Sequence, residues 1–193
     1  MGIPYVIEGS GSNEKVYDLY SRLLKDRIIF IGNQFDEDMA KSVVAQLLFL
    51  EADDNEKDIT IYINSSGGYV SSAFAIFDTM QYIVPDVSTV CVGHAASAAS
   101  FILAAGAKGK RFALKNSRIM MHQVSGGASG QIQDMKIAVN EAEFLNKRLI
   151  EEFALLTNHS VKQIIRDIDR DYYLSAEEAK DYGLIDKVLI TRG

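Results

Sequence analysis

Basic charge is in short supply in this sequence. Its 20 Lys and Arg are outnumbered by 26 Asp and Glu, leaving a formal net charge of −6. A face able to neutralise nucleic-acid phosphates needs the opposite balance, so a nucleic-acid-binding role is not expected. Cysteine is nearly absent. Cys91 alone excludes an internal disulfide and a cysteine-built metal site, and its apolar strand setting reads as core. Long runs of large apolar residues are missing too. The most apolar window, 87–107, is rich in Ala, Ser and Gly and contains His94, which does not suit a membrane span. The first residues, "MGIPYVIEGSGSNEK", show neither a positive leader nor an apolar core of a signal peptide. A soluble, cytoplasmic protein is the expectation.

What is present suits a core. The chain has 193 residues, 48% of them hydrophobic, enough for one domain. Strand-like and helix-like segments alternate. "RIIFIG" reads as a strand, followed by a helix opened by Asp36, Glu37 and Asp38; "DITIYIN" reads as the next strand, then a "SSGG" turn and a helix over about 70–83. "VSTVCVG" is a third strand leading to a helix near Ser97. "RFAL" and "RIMMHQ" are short strands, and "VSGGASG" a glycine-rich loop. Ser160 is placed to cap one helix. A capping box, Ser175 to Glu178, opens a last one that Gly183 ends. This order predicts an α/β fold with a mainly parallel sheet. Residues 1–15 read as a flexible N-terminal segment and 16–193 as a single domain.

One helix is too long for such a domain. The helical pattern runs unbroken over about 131–156, which at 1.5 Å per residue is roughly 39 Å. Ile132, Met135, Val139, Ala142, Leu145, Leu149 and Phe153 make one apolar stripe, while Ile137, Phe144 and Leu155 lie nearly opposite. Apolar residues on two sides of an overlong helix predict insertion into another subunit, against the alternative of a buried central helix.

Candidate chemistry is confined to few residues. Only three histidines can serve as a base, and His159, in "LTNHSVKQ", reads as an ordinary turn residue. His94, His122, Ser97 and the "SSGG" turn all fall at strand ends, where sites gather in α/β sheets. Ser97 sits in "GHAASAAS", at a strand-to-helix turn among very small residues. That pattern fits close helix packing or a nucleophile elbow, in which small neighbours let a substrate reach an exposed hydroxyl. Gly67 and Gly68 leave backbone N–H groups unobstructed, and the residue after an elbow, Ala98, supplies the usual partner donor for an oxyanion. The pattern does not select among the many acidic residues that could orient a histidine.

Three blocks, "INSSGGYVSSAFAIFDTM", "GHAASAASFILAAGAKGKRFALKNSRIMMHQ" and "DRDYYLSAEEAKDYGLID", resemble the proteolytic subunits of the Clp protease family from about Val16 onward. The resemblance implies a crotonase-like α/β fold with a protruding handle helix, the 131–156 segment. It implies a serine endopeptidase with Ser97 as nucleophile, His122 as general base and Asp171 as its orienter. Gly68 and Ala98 N–H groups would form the oxyanion hole. Two stacked seven-membered rings would enclose the sites, with inter-ring charge pairing by Arg170 toward Asp134 and Asp169. The segment around Arg170 is expected to be extended. A hexameric ATP-dependent unfoldase would feed unfolded polypeptides, and the subunit itself needs no cofactor or metal. The chain departs from the family pattern at Ser66, usually Pro, at Ala98, usually Met, and at Ala99, usually Gly; His94 is also unusual there. These departures motivate an alternative, a catalytically weak structural subunit of a mixed ring. An acyl-CoA hydratase or isomerase of the same fold is a third reading, one that leaves Ser97 and His122 without a role.

Overall fold

A computed structural model describes residues 2–191; Met1 and residues 192–193, the ends of the two expected segments, lie outside it. Nine strands and seven α-helices alternate through the described residues. Strands β3 (Ile28–Ile31), β4 (Ile59–Ser65), β5 (Val87–Ala96), β6 (Arg111–Leu114) and β9 (Lys187–Leu189) form a parallel path in the order β3-β4-β5-β6-β9. β7 (Arg118–Met121) runs parallel to the far end of β5 and pairs antiparallel with β8 (Tyr172–Ser175). The expectation of a parallel-dominated α/β fold holds, and the architecture is the crotonase-like one.

Helices cover the sheet for reasons visible in their residues. α2 (Glu37–Asp53) starts at Asp36, whose carboxylate accepts the Met39 N–H at 2.8 Å, and it buries Ala40, Val43, Leu47 and Leu50 on one face. α3 (Val70–Tyr82) buries Ala73, Ile76, Phe77 and Met80. α4 (Ala98–Ala104) is buried at every residue, with small residues at its start by the elbow and larger apolar ones, Phe101, Ile102 and Leu103, further along. Phe101 of α4 sits among Phe74, Phe77 and Phe153 with ring centroids 4.8–5.5 Å apart.

Phe153 belongs to α5 (Ile132–Thr157), a 26-residue helix as long as its pattern predicts. Only its last third is buried, at Leu149, Ile150, Phe153, Ala154 and Thr157. Ile132, Ile137, Val139 and Phe144 stand exposed. The alternative of a helix buried within its own domain is thus not what forms. α6 (Val161–Asp167) and α7 (Ala176–Asp181) start at the expected serines: Ser160 accepts the Gln163 N–H, and Ser175 completes its capping box with Glu178.

In the N-terminal segment, β1 (Tyr5–Glu8) pairs antiparallel with β2 (Lys15–Asp18), the turn using positive φ at Gly9 and Gly11. Asp18 then caps α1 (Leu19–Lys25), whose Arg22 and Lys25 ion-pair with Glu8 and hold the hairpin. β5 does not end at Gly93. That glycine, at φ +91°, makes an irregular step in the register, and the strand resumes from His94 to Ala96 against β7. Finally, Asp169 and Arg170 lie in a turn, because the chain must reverse between α6 and β8; extended structure begins only at Tyr172.

Candidate active site

Ser97 joins β5 to α4 with φ +56° and ψ −126°, a conformation side-chain-bearing residues rarely hold. Its neighbours fix it there. The Ser97 N–H donates to Met120 O of β7 at 2.8 Å, and Ser100 Oγ donates to Ser97 O at 2.7 Å. The sharp turn leaves Oγ on the open side of the elbow, where it meets His122 Nε2 at 2.8 Å. On the other side of the ring, His122 Nδ1 faces Asp171 Oδ1 at 3.3 Å. With the proton on Nδ1 toward that carboxylate, Nε2 accepts from the serine hydroxyl. Of the two histidines that the sequence leaves open beside the elbow, His122 is the one in reach. His94 lies inside β5, exposed, paired in register with Arg118 and outside the pocket around Ser97.

A cavity of about 40 Å³ adjoins the serine, lined by Gly68, Val70, Ala73, Ala98, His122, Val124 and Leu149 among others. Val70, Ala73, Ala98 and Leu149 make an apolar wall. Gly68 precedes α3 at φ +155°, and Ala98 occupies the first position of α4, whose N–H has no partner within the helix. Both residues line the pocket beside Ser97.

The turn carrying Gly68 is held without a proline at Ser66. Ser65 Oγ accepts the Gly67 N–H at 3.1 Å and donates to Asn33 O at 2.6 Å. Phe35 N–H donates to Gly67 O at 2.9 Å, and Tyr69 N–H to Phe35 O at 2.7 Å. Sequence reading passes over Ser65 and Phe35, since their bonds to Asn33, Gly67 and Tyr69 include three that join residues 32 to 34 positions apart, with no local signature. It also passes over Gln123 and Asn146. The latter accepts the Val124 N–H at 2.9 Å and ties the glycine-rich loop to α5.

Other singled-out residues play no part here. Cys91 is buried, and burial pushes its thiol up to about 11. His159 Nε2 donates to Tyr182 O (3.1 Å), and the ring packs on the Tyr182 ring. Arg170 is 84% exposed, donates to Asp169 O at 2.7 Å and faces Asp169 Oδ2 at 3.5 Å; no ion pair joins it to Asp134 among the described residues. Among those residues no cluster of His, Cys, Asp and Glu is arranged to hold a metal ion, and no helix is long and apolar enough to cross a membrane.

A serine on a strained strand-to-helix elbow, hydrogen-bonded to a histidine that faces a carboxylate, is the constellation of an acyl-transfer hydrolase. A family model described as Clp protease matches residues 11–192, and the chain belongs to that family, a serine peptidase of the Clp type.

Proposed function

We propose that the chain is a serine endopeptidase acting on unfolded polypeptides inside a chamber of two stacked seven-membered rings. The observation that carries this reading is the Ser97 Oγ to His122 Nε2 distance of 2.8 Å on the strained elbow. Ser97 attacks the scissile carbonyl as His122 takes its proton. Asp171 holds the ring tautomer and stabilises the imidazolium. The carbonyl oxygen, now negative, is received by the Gly68 and Ala98 N–H groups, fixed dipoles that need no reorganisation. His122 then returns the proton to the leaving amine, and water hydrolyses the acyl-enzyme by the same steps in reverse.

Family membership generally carries self-assembly and an ATPase partner. We assign the exposed apolar stretch of α5 to the ring-to-ring contact, as a handle. Arg170, whose exposed pairing with Asp169 contributes little within one subunit, is the cation we assign to the opposing ring, with Asp134 among its acceptors. The unfoldase would be a hexameric, ATP-consuming ring that feeds substrate to the chamber, so the subunit calls for no cofactor. The cytoplasm is the proposed compartment, in keeping with a single buried cysteine.

The purified chain should cleave short fluorogenic peptides, label at Ser97 with a fluorophosphonate, and sediment as a double ring. Failure to label, in a chain that still assembles, would favour the catalytically weak structural subunit instead.

A further inference from the structure

The β7–β8 ladder pairs Met120 with Tyr173 and Met121 with Tyr172. Antiparallel register then sets His122 opposite Asp171, one step past the last ladder pair. The base and its carboxylate are thus cross-strand neighbours at a frayed end. Nothing about burial holds the acid there, since the Asp171 side chain is 56% exposed. The chain just before it has left the ladder and is turning back toward α6.

One residue bridges this gap. Gln123 follows His122 directly and grips two successive carbonyls of the turn. Its backbone N–H donates to Ile168 O at 2.8 Å, and its side-chain Nε2 donates to Asp169 O at 3.0 Å. Ile168 is fully buried and ends α6, so the first bond anchors the turn to a fixed point. The second reaches further along, to two residues from Asp171. An exposed acid on a short turn otherwise samples many orientations, and its distance to His122 would vary with them.

We propose that Gln123 is a positioning residue for the reaction: its side-chain amide holds the 169–171 turn so that Asp171 stays within reach of His122 Nδ1. The proposal rests on reading Ser97, His122 and Asp171 as the triad. Gln123 does not act on the reacting atoms; it acts through Asp171.

The test uses the assembled protein, a fluorogenic peptide and the rate of fluorophosphonate labelling. Gln123→Leu removes the amide while leaving volume and the backbone bond. It should lower kcat about tenfold with KM within about twofold, the pattern of a contribution made only in the transition state. Gln123→Asn, whose amide stops one methylene short, should show the same split if the leucine variant proves unstable. In an Asp171→Ala background the Gln123 substitution should cost nothing further, because the group it positions is gone. A parental rate for Asp171→Ala would overturn the triad reading itself. A slow Asp171→Ala beside a parental Gln123→Leu would leave the triad standing and overturn this inference. An equal loss from Gln123→Leu in both backgrounds would overturn it too, since Gln123 would then act independently of Asp171.

Discussion

Gly67 approaches Ala98 so closely that a Cβ on the glycine would lie 2.9 Å from the Ala98 backbone N, and 2.6 Å from Ala96 O. The Gly67–Gly68 turn and the elbow, from different strands, are therefore in contact through bare backbone. Gly67 also holds φ +90°, so any side chain there is strained whatever the space. Gly67→Ala must push the two segments apart. The expected result is loss of peptide hydrolysis by about a hundredfold or more, as for a misplacement of about 1 Å in a catalytic geometry. Strain of about 1–3 kcal/mol should lower the melting temperature at the same time. A fluorogenic peptide assay beside a thermal melt checks both; an active, fully stable Gly67→Ala would contradict the close approach.

The two histidines beside the elbow should behave oppositely. His122→Ala removes the proposed base and should reduce kcat on the order of 10⁴–10⁶, as expected when one member of a unit is lost. His94→Ala should keep most of its rate, because His94 is exposed and outside the pocket around Ser97. Steady-state kinetics of the pair decide the assignment, and a dead His94→Ala beside an active His122→Ala would reverse it.

Ala98 sets the width of the apolar wall that it forms with Val70, Ala73 and Leu149. If this wall receives the residue before the scissile bond, a methyl group there leaves it more room than a larger side chain would. Ala98→Met should fill that room and shift preference toward smaller residues, by about tenfold or more in relative kcat/KM for a change of a few methylenes. Profiling both proteins against one peptide library measures it. Identical profiles would show that Ala98 does not line the specificity pocket.

Sequence patterns made some of this legible and not the rest, for a physical reason. Helix periodicity gave the length of α5, and the small residues around Ser97 gave the elbow, because both are properties of neighbouring residues. The N-terminal hairpin depends on Glu8 reaching Arg22 and Lys25, and the continuation of β5 past Gly93 depends on β7. The turn at Asp169 and Arg170 is hydrogen-bonded at Ile168 and Asp169 to Gln123, 45 and 46 positions earlier. Such long-range pairings leave no local signature, so a glycine reads as a strand end and a turn reads as extended chain. The proposed triad came from a resemblance for the same reason: no spacing singles out Asp171 from the other acids.

The last such long-range pair is open to a pH test. Arg111, with a side chain only 5% exposed, meets Asp186 through Nη2 at 2.7 Å and Nε at 3.0 Å, while the Arg111 and Gly109 N–H groups donate to the same carboxylate. Burial pushes the Asp186 carboxyl up, but the hydrogen bonds and charge of Arg111 outweigh it and leave the group below its ordinary value of 3.8. A depressed folded-state pKa means that ionised Asp186 stabilises the fold above the unfolded value, and that this contribution fades as pH falls through the lower folded value. Asp186→Asn leaves Arg111 buried without its counter-charge, at a cost of about 3 kcal/mol for breaking a buried pair. The variant should therefore melt well below the parent at every pH above 3.8. Below that, the parent protonates Asp186 and loses the same contribution, so the gap between the two should narrow. Thermal melts from neutral pH down to acid record it, and a gap that stays constant or widens on acidification would rule out the ion pair as the source of the difference.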